Sequence, residues 1–214
     1  MIEQFKPEIT ELLSEPDNVE KIRDRLACII KGETVNQYEL AKKNLARNKE
    51  DYNIRVFVEN ARPYDTGGEP IETPLVNILL QKTEPMDGNA RAGQQKLKGT
   101  FLIDCISFGD EGGEVWNEKI AAARAWKSAR IIRRILMSDN YTYLGLRGVI
   151  GSRNILSSEA GVPDNGGDAL SVVTVRITLA VQFIERAIDS TGEIIEGIDF
   201  VIDPSNGEVL INKD

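Results

Sequence analysis

Val172-Val173-Thr174-Val175-Arg176-Ile177-Thr178-Leu179-Ala180-Val181-Gln182-Phe183-Ile184 is a long alternating stretch near the end of the chain. Its β-branched residues and its alternation predict one long strand. A strand of that kind has to bury a face against another layer. The segments before it supply candidates. Glu114 to Ser138 reads as the longest helix. At 100° per residue, Ala121, Ala122, Ala125, Ser128, Ala129, Ile132, Ile135 and Leu136 fall on one side, and Lys119, Arg124, Lys127, Arg130 and Arg134 fall largely on the other. Four alanines on the apolar side predict close approach to a partner, which we take to be the sheet.

Further back, Tyr52 to Glu59, Pro74 to Gln81 and Thr100 to Phe108 read as strands. Residues 84–98, EPMDGNARAGQQKLK, read as a long polar insert between two of them, and residues 157–168, SSEAGVPDNGGD, as a second long loop. Between the long helix and that loop lie two short apolar stretches, around Tyr143-Leu144 and Val149-Ile150. Three helices are expected at the start of the chain. They cover residues 2–14, about Val19 to Ile30 with Gly32 as its stop, and about Val35 to Lys49. Beyond the long strand, Ile194 to Ile211 reads as further strand with a turn at Pro204 to Gly207. The order predicts an α+β fold: a mixed, mainly antiparallel sheet with a long helix packed on it and extra N-terminal helices. Residues 1–186 form the domain and 187–214 a C-terminal strand extension of it.

Composition narrows the chemistry. The chain has 214 residues, 26 Lys and Arg against 34 Asp and Glu, and a net charge of −8. A surface of that sign repels polyanions on average, which disfavours sequence-specific nucleic-acid binding as the main task. There is no histidine, so imidazole-based nucleophilic catalysis and zinc sites with histidine ligands are excluded. Cys28 and Cys105 sit among apolar neighbours and are expected to pack as small hydrophobes. The opening MIEQFKPEITELL is acidic and broken by Pro7, unlike a signal peptide, and no apolar run reaches the ~18 residues of a membrane span. We expect the chain to be cytosolic when made, with no membrane partner.

No candidate catalytic, cofactor or metal constellation emerges. The pairs Gly67-Gly68, Gly112-Gly113 and Gly166-Gly167 lack both the Walker pattern and GxGxxG, and Glu111 and Glu114 flank the pair that precedes a helix. Asp104, Asp110, Glu111 and Glu114 cluster in sequence without the spacing of a calcium loop. Lys119, Lys127, Arg130, Arg133 and Arg134 form a basic stripe that reads as a solvated face or as an interface with an acidic neighbour. Trp116 and Trp126 read as core or interface anchors. In the insert, Arg91, Gln94, Gln95, Lys96 and Lys98 are candidate partner contacts, joined on the helix by Lys119, Lys127, Arg130 and Arg134.

The order of elements carries a resemblance. A strand ending Val56-Phe57-Val58-Glu59-Asn60-Ala61-Arg62-Pro63 leads to Pro74-Leu75-Val76-Asn77-Ile78, then to a strand opening Gly99-Thr100-Phe101. Next come the Ala-rich, basic helix Ala121 to Arg130, Arg133-Arg134-Ile135-Leu136, then Tyr143-Leu144-Gly145 and the strand from Val172. Over about residues 19–186 this resembles the tail terminator, or tail completion, proteins of long-tailed phages. It is a pattern of elements, not a strict motif, and residues 187–214 lie outside it. The resemblance implies a non-enzymatic virion protein of the tail and neck. Such a protein forms a homohexameric ring, caps the tail tube, stops its polymerisation and joins the tail to the head. The implied partners are the tail tube protein, the neck or connector protein and the sheath protein, with DNA passing through the lumen unbound and no cofactor. Close alternatives are a neck connector or head completion protein, and the cap of a phage-derived contractile injection device. The alternative from another class is an enzyme that uses carboxylates and a metal.

Overall fold

The computed structural model describes residues 16–45, 49–61, 63, 74–86, 93–109, 116–161, 172–186, 200–202 and 207–211. The fold is α+β, built on a five-stranded mixed sheet of order β1-β2-β3-β5-β4. The strands are β1 (Arg55–Val58), β2 (Leu75–Pro85), β3 (Gln94–Phe108), β4 (Ile150–Ala160) and β5 (Val172–Arg186). β1 runs parallel to β2, and the other three pairings are antiparallel. Helix α1 (Asn18–Lys43) lies over β1 and β2, and helix α2 (Trp116–Leu136) lies over β3 and β5.

Alternation along each strand explains how one face of the sheet became the core. In β3, Phe101, Ile103 and Cys105 point at the helices; in β5, Val175, Ile177, Leu179, Val181 and Phe183 do. They pack against Ile22, Leu26 and Ile30 of α1 and Ala125, Ala129, Ile132 and Leu136 of α2. Ala121, Ala125 and Ala129 are all but fully buried, so the α2 backbone comes close to the sheet. Replacing Ala125 with Leu is expected to force side chains off their rotamers and cost about 1–3 kcal/mol. Urea denaturation of the variant checks this, and an unchanged midpoint would mean that Ala125 does not face the sheet.

α1 starts at a capping box. The Glu20 N–H donates to Asp17 Oδ1 at 3.0 Å, and the Asp17 N–H donates to Glu20 Oε2 at 3.2 Å. It then corrects an expectation: Gly32 does not end the helix, and the two helices predicted over 19–30 and 35–49 are one. The buried stripe continues past the glycine through Thr34 and Ala41. That packing outweighs the roughly 1 kcal/mol that a mid-helix glycine costs relative to alanine. α1 stops at Lys43, and Lys49–Tyr52 is a short 3-10 turn. The helix predicted over residues 2–14 lies outside the described residues.

Two loop expectations are also corrected. β2 continues to Pro85 and β3 begins at Gln94, so the predicted insert at 84–98 is paired strand at both of its ends. Glu84 stands opposite Lys98, and Gln94 to Lys98 pair on their other side with Gln182 to Arg186 of β5. Backbone ladders need no apolar side chains, which is why a polar sequence concealed this pairing. The loop predicted at 157–168 likewise begins later, because β4 runs through Ala160.

The segment after α2 is pinned by one guanidinium. Arg153 on β4 donates from Nε to the Tyr141 carbonyl at 2.8 Å and from an Nη to the Ser138 carbonyl at 2.8 Å. These carbonyls lie just past the helix end, where partners inside the helix run out. At the opposite edge of the sheet, β6 (Phe200–Ile202) and β7 (Val209–Ile211) form a hairpin that meets β1. The Val58 N–H donates to the Gly207 carbonyl at 2.8 Å. A Cβ at Gly207 would lie 2.3 Å from the Val58 carbonyl oxygen, and its φ is +70°, so glycine is required there.

Candidate functional site: the second sheet face and the outer face of the long helix

The helices cover one face of the sheet. On the other face, strand register lines up Phe57, Asn77, Asp104, Arg176 and Glu159 in one row across all five strands. Asp104 is buried and receives two hydrogen bonds from Arg176, Nε to Oδ1 and Nη to Oδ2, each at 2.7 Å. This bidentate geometry is the strong form of the contact. Asp104 and Glu159 both favour the charged guanidinium and hold the Arg176 pKa above its ordinary value; the hydrogen bond to Asp104 is the main cause. Asn77 is buried and exchanges hydrogen bonds with the Asn60 backbone: its Nδ2 donates to the carbonyl at 2.8 Å, and its Oδ1 accepts from the N–H at 3.3 Å. Glu59, with φ +51°, makes the turn that brings Asn60 over the sheet.

Beside this row lies a cleft of about 450 Å³, walled by Asn60, Pro63, Asn77, Asp104, Glu159 and Arg176 among others. Among the described residues that line it, one cation, Arg176, faces two carboxylates, Asp104 and Glu159. An apolar cluster of Phe57, Leu75, Ile106 and Phe108 closes one end of the same face. Sequence alone does not place this row. A single arginine inside an apolar strand was the available signal, since a charge there calls for a partner. The partner is 72 residues away in the chain, and only the β3–β5 register brings the two together.

The outer face of α2 has a different character. Lys119, Ile120, Ala123, Trp126, Arg130, Arg133, Arg134 and Met137 are exposed along it. Of the basic residues singled out in sequence, Arg130 and Arg134 lie on this face as expected from the helical spacing. Lys127 is different, because its ammonium pairs with Asp51 of the 3-10 turn and both are half-buried. Trp126 is 45% exposed and so is not a core residue. The side chain of Trp116 lies outside the described residues.

The candidate contacts of the insert fall elsewhere. Gln94, Gln95, Lys96 and Lys98 sit on β3 at the far end of the sheet, remote in register from the Asp104 row. Arg91 lies outside the described residues. They are strand residues rather than loop residues, so removing residues 88–96 would also remove the start of β3.

Other candidate chemistry finds little support. Asp104 is engaged by Arg176, and Asp110, Glu111 and Glu114 lie outside the described residues. Among the described residues no group of three or more His, Cys, Asp or Glu is placed to hold a metal. Burial pushes the Cys28 thiol up to about 11, and burial likewise raises Cys105, so neither is a ready thiolate at neutral pH. Among the described residues no helix is long and apolar enough to cross a membrane. No protein-family model matches the sequence, and no curated protein matches it either.

Proposed function

We propose that this chain is a structural subunit of a phage tail. In this reading six copies close into a ring at the end of the tail tube, stop its growth and join it to the neck. The number of copies and the place in the virion come from the resemblance in element order. The observation that carries the physical side is the outer face of α2. It exposes Arg130, Arg133 and Arg134 beside Trp126 and Met137 on a chain whose net charge is −8.

Such a chain has surfaces of unlike sign and composition. Head-to-tail contacts, from which cyclic rings are built, need two different surfaces on each copy. Acidic character elsewhere suits a lumen through which DNA slides, since a cationic lining would hold the phosphates. The end of the sheet that carries Gln94, Gln95, Lys96 and Lys98 is then available to the tube or the neck. Lys119 and Lys127 flank the α2 contact. The test is assembly without the chain: particles made in its absence should carry tails longer than normal. Tails of normal length would reject termination as the function.

A further inference from the structure

Ala123, Trp126, Arg130 and Arg133 follow one another at helical spacings of 3, 4 and 3, so they form a single stripe along α2, which Met137 extends one residue past the helix end. All five are exposed, with Trp126 at 45% and Met137 at 65%. Ile120, at 39%, is exposed on α2 as well. Trp, Met and Arg are the residue types enriched in protein interfaces, and Trp and Arg dominate the contacts that matter most there. A guanidinium is weakly hydrated and stacks on aromatic faces, so arginines beside a tryptophan lose less on burial than lysines would. The neighbouring Lys127 is already occupied by Asp51.

The charge distribution selects the occupant. α2 holds six of the chain's 26 Lys and Arg but only one of its 34 Asp and Glu, which leaves the rest of the chain strongly acidic. We propose that Trp126 anchors the contact between copies: the stripe from Ala123 to Met137 seats on an acidic surface of a second copy of this chain. The inference rests on the ring reading and names the residue that supplies its affinity. Trp126 contributes by desolvation, which salt hardly weakens. Arg130 and Arg133 contribute register and encounter rate, which salt screens.

Sedimentation velocity of the full chain over a concentration series, in low and in high salt, tests this with Trp126→Ala and Trp126→Phe. The side chain is half outside the core, so both variants should keep the wild-type far-UV spectrum and melting point. Trp126→Ala is expected to weaken association about tenfold or more in both salts, and Trp126→Phe to recover most of it. Association of Trp126→Ala at wild-type strength overturns the anchor while leaving the ring standing. A wild-type chain that never associates, alone or on tubes, overturns the ring and this contact with it.

A second readout separates the kinds of partner. The chain has two tryptophans, so Trp116→Phe leaves Trp126 as the sole tryptophan, read by excitation at the red edge of indole absorption where tyrosine does not absorb. Its emission should shift to shorter wavelength as protein concentration rises, without nucleic acid present. A shift seen only on addition of duplex DNA would overturn the proposal in favour of a nucleic-acid surface.

Discussion

Phe101→Ala should lower the unfolding free energy by about 3–5 kcal/mol, the range for truncating a fully buried phenylalanine. Phe101 has no exposed surface and stands in mid-β3, paired with Leu80 on one side and Leu179 on the other. Its ring lies against Gly99, where a Cβ would approach the Phe101 Cε2 to 3.0 Å and the Phe183 Cε1 to 3.4 Å. The two phenylalanines and the glycine therefore interlock. Removing the ring leaves a hole that the β2–β3–β5 ladder cannot close without breaking its hydrogen bonds. Domains of this size are stable by about 5–15 kcal/mol, so the variant should lose a large part of its margin. Urea unfolding followed by circular dichroism reads the change. A loss below about 1 kcal/mol would show that the ring is not a core element and that the helix-facing side of β3 is misassigned.

Reversing Arg130 and Arg134 together to Glu should leave the monomer folded and prevent assembly. Both side chains are exposed on α2, and surface substitutions of this kind usually shift stability by no more than about 0.5 kcal/mol. In assembly the change is a reversal rather than a loss. Two attractive charges facing an acidic surface become two repulsive ones, and like charges across an interface cost several kcal/mol. Sedimentation should show monomer where the wild type associates, and virions carrying the variant should have tails of abnormal length. Higher salt should partly relieve the defect, because exposed charges are screened beyond a Debye length of about 8 Å at physiological ionic strength. Unchanged association together with normal tails would mean that these arginines simply face water.

What could be read in the sequence divides along physical lines. Where burial acts on side chains, the pattern was visible. The alternation of Val172 to Ile184 and the apolar stripe of α2 both report a face turned to the core, and Ala121, Ala125, Ala129, Ile132 and Leu136 are buried on that face. Where the backbone does the pairing, the sequence was silent. Gln94 to Lys98 and Ser157 to Ala160 are polar stretches held in strands by main-chain ladders. Gly32 shows the converse, a local stop signal overridden by packing on both sides of it.

The candidate surfaces divide in the same way. Arg130 and Arg134 could be placed on one helix face from spacing alone. The engagement of Lys127 by Asp51 could not, because it depends on how a turn 76 residues away docks beside α2. The Asp104–Arg176 pair is long-range too, and so is the exposure of Trp126, a residue type that sits in cores as readily as on interfaces. Sequence periodicity assigns a residue to a face; only the assembled layers say whether that face is covered.

If this chain ends the growth of a tail tube, tail length is the quantity that its removal changes. Electron micrographs of particles assembled with and without the chain give two length distributions. With the chain, tails should be uniform and joined to heads, with a ring at the head-proximal end. Without it, tails should be overlong and variable, and free of heads. Tails of normal, uniform length in its absence would contradict the account.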